Sequence, residues 1–360
     1  MRWSRDGTPR SSPPDARQRR GRSGRYPHPV MTRQHVPQAV IDLAHARRTA
    51  RAAREWAQAD ALRAEIESAG WRVVDTGTDF ALRPFRAADE IRDGILVHGS
   101  SAAVPTRLDE PTTMAATVIV VAGGPDEPGQ TRAAWAPADG IQVVLVETID
   151  GQMDLGVDKP AVASETVRIA ATAGPGGVRN AGCRRALGSI VVVATGAVAA
   201  RAMATEAMSA DLVARIVAAL ADPAVAIVGS TGLWTPDLRR FATLDPPPTD
   251  AIADAPAAVT GPVVAFRRSD LRDRGPFDEG FRSAAWLDIW WSLVLRDQGE
   301  GAPRRAVQIA TPEGSDGSAG VSSLDDLLRQ SKRDAYRLAE RFAGRPDLAS
   351  SPAAQPGHRP

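Results

Sequence analysis

The sequence predicts an α/β protein: a mostly parallel sheet flanked by helices, preceded by a small helical hairpin with a β-hairpin. Three observations carry this prediction. After residue 115, short apolar runs alternate with helical segments, which is typical of parallel strands covered on both faces. At residues 174–196 a glycine-rich stretch leads into a helix and then a buried strand. Residues 37–69 carry apolar side chains at helical spacing.

The composition is that of an ordinary core-forming protein. The chain has 360 residues, 43% of them hydrophobic and 24% charged, with a formal net charge of +1. This length suits about two domains. No apolar run reaches the ~20 residues that cross a bilayer, and the basic N-terminus lacks the apolar segment of a secretory signal. A single cysteine, Cys183, excludes an internal disulfide and a zinc cluster, so we expect a cytoplasmic protein.

Residues 1–30 are predicted to form a disordered basic tail. They contain eight arginines, two aspartates and few apolar side chains, a composition that cannot offset the entropy of ordering. Two alternatives stay open. The segment could be a basic arm that contacts nucleic acid, or Met31 rather than Met1 could be the true start.

Residues 31–86 are predicted to form a helical module, and residues 87–114 a linker. Gly70 is well placed to end the second helix of the module, and two short strands follow around a turn. Arg47, Arg51 and Arg54 are predicted to line one helical face.

The run Ala-Arg-Ala-Ala-Arg-Glu-Trp-Ala-Gln-Ala-Asp-Ala-Leu-Arg at residues 50–63 resembles the C-terminal helical segment of cysteinyl-tRNA synthetases. In that family the segment lies near the anticodon-binding region. The ATP-binding signatures and zinc cysteines of the family have no counterpart in this sequence, which excludes aminoacylation. The resemblance implies either a packing module or an RNA partner.

Five apolar runs are predicted as strands of one sheet: residues 117–122, 141–146, 167–170, 189–194 and 224–228. A helix is predicted at residues 211–221. Parallel sheets bind ligands at the carboxyl ends of their strands. We therefore expect Gly123, Glu147 and the segment after Ala194 to surround one crevice.

The glycine-rich stretch is the strongest candidate for an anion site. Arg179 and Asn180 follow three glycines, in the first turn of a helix predicted at residues 177–187. Free N–H groups in such a turn favour an anion. The stretch lacks the third glycine of a dinucleotide fingerprint, and it lacks the Lys and Ser/Thr of a P-loop.

The order of motifs over residues 115–312 resembles the family 2 glycosyltransferases of the GT-A fold, which transfer a sugar from a nucleotide-sugar. The matching pieces are Val-Ile-Val-Val at 118–121, Val-Glu-Thr at 146–148, Gly-Gly-Val-Arg-Asn-Ala-Gly at 176–182, and Gly-Pro-Phe-Asp-Glu at 275–279 with Asp288. A GT-A-like domain is therefore expected at 115–315, with a C-terminal helix and a frayed tail at 316–360.

The resemblance implies roles for five residues. Gly123, Glu147, Arg179 and Asn180 would contact the nucleotide-sugar, and Asp288 would deprotonate the hydroxyl of an unknown acceptor. Asp288 follows a leucine where the family has glutamate, and it could instead cap a helix.

The metal motif of that family is missing. An Asp-x-Asp is expected after the fourth strand, where this chain has Ala194, Thr195, Gly196 and Ala197. Divalent cations prefer carboxylate ligands, so no metal ligand is predicted and no cofactor is certain, although a divalent metal stays open. Two hypotheses follow: transfer of a hexose without the usual metal site, or a non-catalytic binding domain.

Two further expectations concern aromatic and thiol side chains. Trp286 and Trp290, spaced four residues apart, are expected to pack in the core rather than stack on a sugar. Cys183 is expected to be an inert buried thiol.

Overall fold

The structure, a computed structural model, describes residues 36–76, 79–84, 88–122, 139–149, 165–195, 206–245, 247, 252–254, 256–310, 328 and 331–350. Its chain divides into two compact units, Met1–Arg83 and Pro84–Pro360. The tail predicted at residues 1–30 and the site residue Gly123 lie outside the described residues.

The first unit is the helical hairpin with a β-hairpin that the sequence predicts, and this prediction is confirmed. Its elements are α1 (Gln38–Ala52), α2 (Trp56–Ser68), β1 (Trp71–Thr76) and β2 (Asp79–Pro84). Val40, Ala44, Ile66, Trp71 and Val73 form its core. The apolar spacing along both helices turns the helical members of this core toward β1.

The arginines of this hairpin are turned toward their own unit. Arg47 is 7% exposed, and its guanidinium donates to both carboxylate oxygens of Asp75 at 2.8 and 3.2 Å. Arg51 donates to the same carboxylate. Two of the three arginines predicted to line one helical face are therefore used to tie α1 to β1.

The second unit is an α/β structure. Its strands are β3 (Glu90–Arg92), β4 (Ile95–Val97), β5 (Met114–Ala122), β6 (Ile141–Ile149), β7 (Glu165–Ala170), β8 (Gly188–Thr195), β9 (Val225–Trp234), β10 (Ala242–Thr243), β11 (Ile252–Asp254), β12 (Ala258–Arg267) and β13 (Arg305–Ile309). Its helices are α3 (Gly174–Cys183), α4 (Glu206–Ala221), α5 (Arg268–Arg274), α6 (Ala284–Arg296) and α7 (Lys332–Arg341).

Among the described residues, one large sheet has the order β11-β13-β9-β12-β8-β5-β6-β7, and β10 pairs with β9 alongside. The run β8-β5-β6-β7 is parallel throughout. β12 lies antiparallel between β8 and β9, and β13 is parallel to β9. The predicted α/β class is confirmed, and the arrangement is consistent with the GT-A-like fold that the family resemblance implies.

Both faces of the sheet are covered, as continuous apolar strands require. On one face Ile119, Val144 and Val146 pack in a cluster with residues of α3, α5 and α6. On the other face Val120 and Leu145 pack with residues of α4. Strand side chains alternate between the faces, so each residue at a strand end is assigned to one face or the other.

α3 begins earlier than the glycine-rich stretch predicts, at Gly174 rather than Gly177, because Pro175 occupies the first helical turn, where its missing N–H costs nothing. The helix ends at Cys183. Shortly after it, the N–H groups of Leu187 and Gly188 donate to the Thr117 hydroxyl, and that of Leu187 also donates to Gln142 Oε1.

No helix in the described part of the chain is both long and apolar enough to span a membrane.

Candidate functional site

The carboxyl ends of four neighbouring parallel strands meet at one edge of the sheet. Ala122 at the end of β5 is level with Glu147 of β6, and Glu147 is level with Arg168 of β7. Val121 is level with Thr195 at the end of β8. In open α/β sheets this edge is where ligands bind, so it is the candidate site.

Glu147 lies at this edge in a fixed position. Its side chain projects from the same face as Leu145, the face covered by α4. It is 6% exposed, and its Oε2 lies 2.8 Å from Nε of Arg168. Thr148 donates to the carbonyl oxygen of Ala122 at 3.3 Å. A carboxylate is thus held next to the end of β5.

The glycines of α3 are required by close packing. A Cβ on Gly176 would lie 2.7 Å from the carbonyl oxygen of Asp278, and a Cβ on Gly182 would overlap Cγ2 of Ile119. Gly174 has φ +66°, a conformation that favours glycine. The glycines therefore let α3 lie directly against the segment around Asp278 and against β5.

Arg179 and Asp288 form a buried ion pair on the α3 side of the sheet. Each side chain is 3% exposed. Asp288 also accepts a hydrogen bond from the Thr260 hydroxyl at 2.9 Å, and the Arg179 guanidinium lies 5.5 Å from the ring centroid of Phe277. Burial raises the pKa of the Asp288 carboxyl, and Arg179 opposes that rise. Both oxygens of this carboxylate are engaged inside the protein.

Asn180 connects α3 to the segment at residues 277–279. Its side chain accepts from the N–H of Phe277 and donates to the carbonyl oxygen of the same residue, both at 2.9 Å. It also donates to Oε1 of Glu279 at 3.0 Å. Asn180 is 4% exposed, and its hydrogen bonds fix the segment at residues 277–279 to α3.

Glu279 is not among the site residues that the sequence predicts. It is exposed, and its carboxylate accepts hydrogen bonds from Asn180 and from the Ser101 hydroxyl. Glu279 lies beside Gly177, and Gly177 belongs to the first turn of α3. Its one signal in the sequence is its place at the acidic end of the Gly-Pro-Phe-Asp-Glu motif.

Of the five predicted site residues, four lie within the described structure, which brings three of them together and separates the other. Arg179, Asn180 and Asp288 share the α3 side of the sheet, whereas Glu147 lies on the α4 side. The two groups flank the carboxyl edge from opposite faces.

The end of β8 does not fit a divalent metal. Ala194 is buried and apolar, Thr195 ends the strand, and the next residues in the sequence are Gly196 and Ala197. Among the described residues there is no cluster of three or more His, Cys, Asp or Glu side chains that could hold a metal ion. No carboxylate pair is offered here, although hard cations usually require one.

The tryptophans and the cysteine are part of the core. Trp286 and Trp291 are buried, and Trp290 is partly buried against Phe281, with ring centroids 5.7 Å apart. The Trp286 indole donates to the carbonyl oxygen of Leu328 at 2.9 Å. Cys183 is buried, which raises the pKa of its thiol to about 12. This thiol is therefore unsuited to nucleophilic chemistry.

No protein-family model matches the chain, and no curated protein sequence matches it. Similar solved structures include S. aureus TarS 1–349 in complex with UDP, at 15% identity and a TM-score of 0.36, covering 55% of this chain and 58% of that one. Another is GalNAc-T7 with UDP, GalNAc and Mn2+, at 16% identity and a TM-score of 0.42, covering 66% and 49%.

A third is the mannosyltransferase PcManGT from Pyrobaculum calidifontis with GDP-Man and Mn2+, at 20% identity and a TM-score of 0.33, covering 59% and 60%. This chain spans less than two thirds of the length of all three structures. With TM-scores below 0.5, these similarities carry no inference about substrate or activity.

Proposed function

We propose that the Pro84–Pro360 unit is a glycosyltransferase-like domain that binds a nucleotide-sugar at the carboxyl edge of β5, β6, β7 and β8. One observation carries the proposal. The carboxyl ends of these strands lie side by side, with Glu147 on one face of the sheet and Glu279 on the other. Ligand crevices of open α/β sheets lie outside such an edge. The family resemblance over residues 115–312 supplies the class of ligand.

In this proposal Glu147 contacts the base of the nucleotide. A carboxylate can accept an N–H from a base, and Arg168 orients the Glu147 carboxylate through their 2.8 Å contact. The loss of this acceptor is expected to weaken nucleotide binding.

Arg179 and Asn180 are positioning residues in this proposal. Both are buried and bonded to other parts of the protein, so neither reaches a diphosphate in this geometry. Their effect is to hold residues 277–279 beside the first turn of α3. They act on the site through Glu279.

We assign the general base to Glu279 instead of Asp288. A base must come within about 2.6–3.2 Å of the proton it takes. The Asp288 side chain is buried and is already bonded to Arg179 and Thr260. Glu279 is exposed and is oriented by Asn180 and Ser101.

The step that this assignment implies is a simple displacement. The acceptor oxygen forms a bond to the anomeric carbon, the bond from that carbon to the diphosphate oxygen breaks, and Glu279 takes the proton of the acceptor hydroxyl. No role in this step is assigned to a metal at the end of β8, because residues 194–197 carry no carboxylate.

A second function, nucleotide-sugar binding without transfer, is favoured by one observation. The residues after Ala194 offer no carboxylate, so the charge that develops on a leaving diphosphate has no acid-held cation to neutralise it there. In this alternative Glu147 keeps its role and Glu279 has none in chemistry.

The binding part of the proposal is tested by thermal shift with UDP- and GDP-sugars, with and without Mn²⁺. We expect one donor at saturating concentration to raise the Tm by about 5 °C. Glu147→Gln should lose most of this rise, whereas the matched surface variant Glu300→Gln should keep it. If no nucleotide-sugar shifts the Tm of the intact chain, both functions are rejected.

The transfer part is tested by following release of the nucleoside diphosphate from the donor that binds. Glu279→Gln should retain the thermal shift and lose turnover, and Glu300→Gln should retain both. A wild-type chain that binds a donor but neither hydrolyses nor transfers it would leave the binding function standing and remove the catalytic one.

A further inference from the structure

A cavity of about 410 Å³ lies at the edge of the sheet opposite the candidate site. It is lined by the beginning of β8, the end of α4 and the start of α5. Ile190 of β8 is level with Arg267 at the end of the antiparallel β12, so both residues lie at the amino edge of the parallel strands. The volume of this cavity is within the range of about 300–1,000 Å³ that small-molecule pockets occupy.

The cavity carries an excess of positive charge. Arg267, Arg268 and Arg272 line it, and its lining contains no Asp or Glu. Buried charges are usually paired with an opposite charge, because removing an ion from water is costly. Arg268 is buried and Arg267 is partly buried, so these two guanidinium groups without a carboxylate in the lining are unusual.

Both of these guanidinium groups are held by neutral oxygens. Arg267 donates to the carbonyl oxygens of Leu220, Asp222 and Val225 at 2.5, 2.6 and 2.7 Å. In this way it caps the last turn of α4, where a positive charge is favoured.

Arg268 is 8% exposed and donates to the carbonyl oxygens of Arg107 and Glu110 at 2.6 and 2.9 Å. Its Nε is buried and makes no hydrogen bond within the described structure. The neighbouring acids Asp270 and Asp222 bond to Arg304 and Arg305 and act on Arg267 only at longer range. Glu110 and Asp109 act on Arg268 in the same way. The two charges are therefore oriented by carbonyl oxygens and only partly offset by acids.

Arg272 is the most exposed member of the group. Its side chain is 76% exposed, and its nearest acid, Asp273, lies 3.7 Å away. A guanidinium at a pocket rim with so loose a partner can close on an incoming anion and form paired hydrogen bonds.

Apolar side chains form part of the cavity lining. They are Leu108, Ile190, Val217 and Leu220. A ligand that fits must present an oxyanion to the arginines and a hydrophobic part to these side chains.

We infer that this cavity binds a small organic oxyanion, a phosphate monoester or carboxylate joined to an apolar group about the size of an aromatic ring. The site is separate from the nucleotide-sugar edge, and it does not depend on the function proposed for that edge.

The test is isothermal titration of the full chain with phenyl phosphate, benzoate, inorganic phosphate and benzyl alcohol. We expect saturable binding of phenyl phosphate or benzoate, weaker binding of inorganic phosphate and none of benzyl alcohol. Comparison of the first two probes shows which oxyanion the site prefers. Absence of saturable binding for both would overturn the inference.

Variants locate the binding. Arg272→Gln should weaken the affinity about fivefold, as loss of one charge-assisted contact implies, and Arg274→Gln on the same helix should leave it unchanged. Ala221→Glu, an exposed position that lines the cavity, should abolish binding by adding a negative charge. Binding that survives both Arg272→Gln and Ala221→Glu would refute the assignment.

Phenyl phosphate that instead occupied the nucleotide-sugar edge would compete with a nucleotide-sugar bound there, whereas phenyl phosphate in the cavity should not. Such competition, with phenyl phosphate binding retained in Arg272→Gln, would likewise refute the assignment.

Discussion

Arg179 and Asp288 form an ion pair buried between α3 and α6, although 109 residues separate them in the sequence. Both were expected at a nucleotide-sugar site, one on the donor side and one on the acceptor side. Each satisfies the charge of the other in a region from which water is excluded. The pair links α3 to α6. Its contribution to the free energy of unfolding can be measured without any assay of activity.

Asp288→Asn is expected to destabilise the protein by about 3–5 kcal/mol, because it leaves the Arg179 charge buried without an opposite charge. Urea denaturation of the intact chain measures this change. The surface variant Asp211→Asn, which removes an exposed partner of Arg215, should change stability little. The double variant Arg179→Met/Asp288→Leu should be more stable than Asp288→Asn alone; equal or lower stability would contradict the argument.

Gly188→Ala is expected to destabilise the second unit by about 1–3 kcal/mol through overpacking. A Cβ at this position would overlap the carbonyl carbon of Ala116, which is backbone of the adjacent strand β5 and cannot rotate away. Gly301→Ala is the matched control, since its Cβ would meet nothing closer than 3.5 Å. Thermal denaturation of both variants checks the prediction, and a similar Tm for the two would count against the close approach of β8 to β5 at this position.

The first unit should lose stability in acid. The hydrogen bonds from Arg47 hold the pKa of Asp75 below its ordinary value of 3.8, assisted by Arg51. A depressed pKa means that the stabilisation is present above the unfolded value and is lost as the pH falls through the folded value. The protection of α1 and α2 amides in the intact chain, measured as the exchange rate relative to the intrinsic rate at the same pH, should therefore fall below about pH 4.

The control for this pH dependence is the variant Asp75→Asn, which should exchange faster than wild type at pH 7 and approach it in acid. Asp60→Asn, at an exposed position on α2, should behave like wild type throughout. An unchanged exchange rate in Asp75→Asn at pH 7 would show that the arginine contacts do not stabilise the unit.

Cys183 should resist alkylation by iodoacetamide in the native protein at pH 8. Burial raises the pKa of its thiol to about 12, and only the thiolate reacts. Mass spectrometry should detect rapid modification in urea and almost none without it. Because the chain has one cysteine, the rate also reports opening of the core around α3. Rapid labelling of the folded chain would contradict the burial of this side chain.

Strands with one or two apolar faces can be predicted from a short stretch of sequence, and several strands of this sheet are predicted in this way. β5 and β6 contain the runs predicted at 117–122 and 141–146, because continuous Val and Ile side chains suit strands buried on both sides. β12 is different. It carries Gly261 and Pro262, which argue against a central strand, and a bulge between Thr260 and Val264 accommodates them between β8 and β9.

The candidate site also has one residue that the sequence places and one that it does not. The placement of Glu147 at a strand end follows from its position after an apolar run, since the carboxyl ends of parallel strands share an edge. The position of the Glu279 carboxylate could not be predicted, because it is held by Ser101 and Asn180, which lie 178 and 99 residues away in the chain. Local patterns hold no information about such distances.

The amino-acid sequence by itself determined the five apolar strands from β5 to β9, the N-terminal helical hairpin and the glycine-rich entry to α3, because periodicity and glycine act over a few residues. Only the tertiary structure decided which charges are consumed inside the protein. Arg179 and Asp288 neutralise each other in the core, while Glu279 remains at the edge and Arg267 and Arg268 face the opposite cavity. Ion pairing and desolvation depend on which distant residues meet, and that is set by packing of the whole unit.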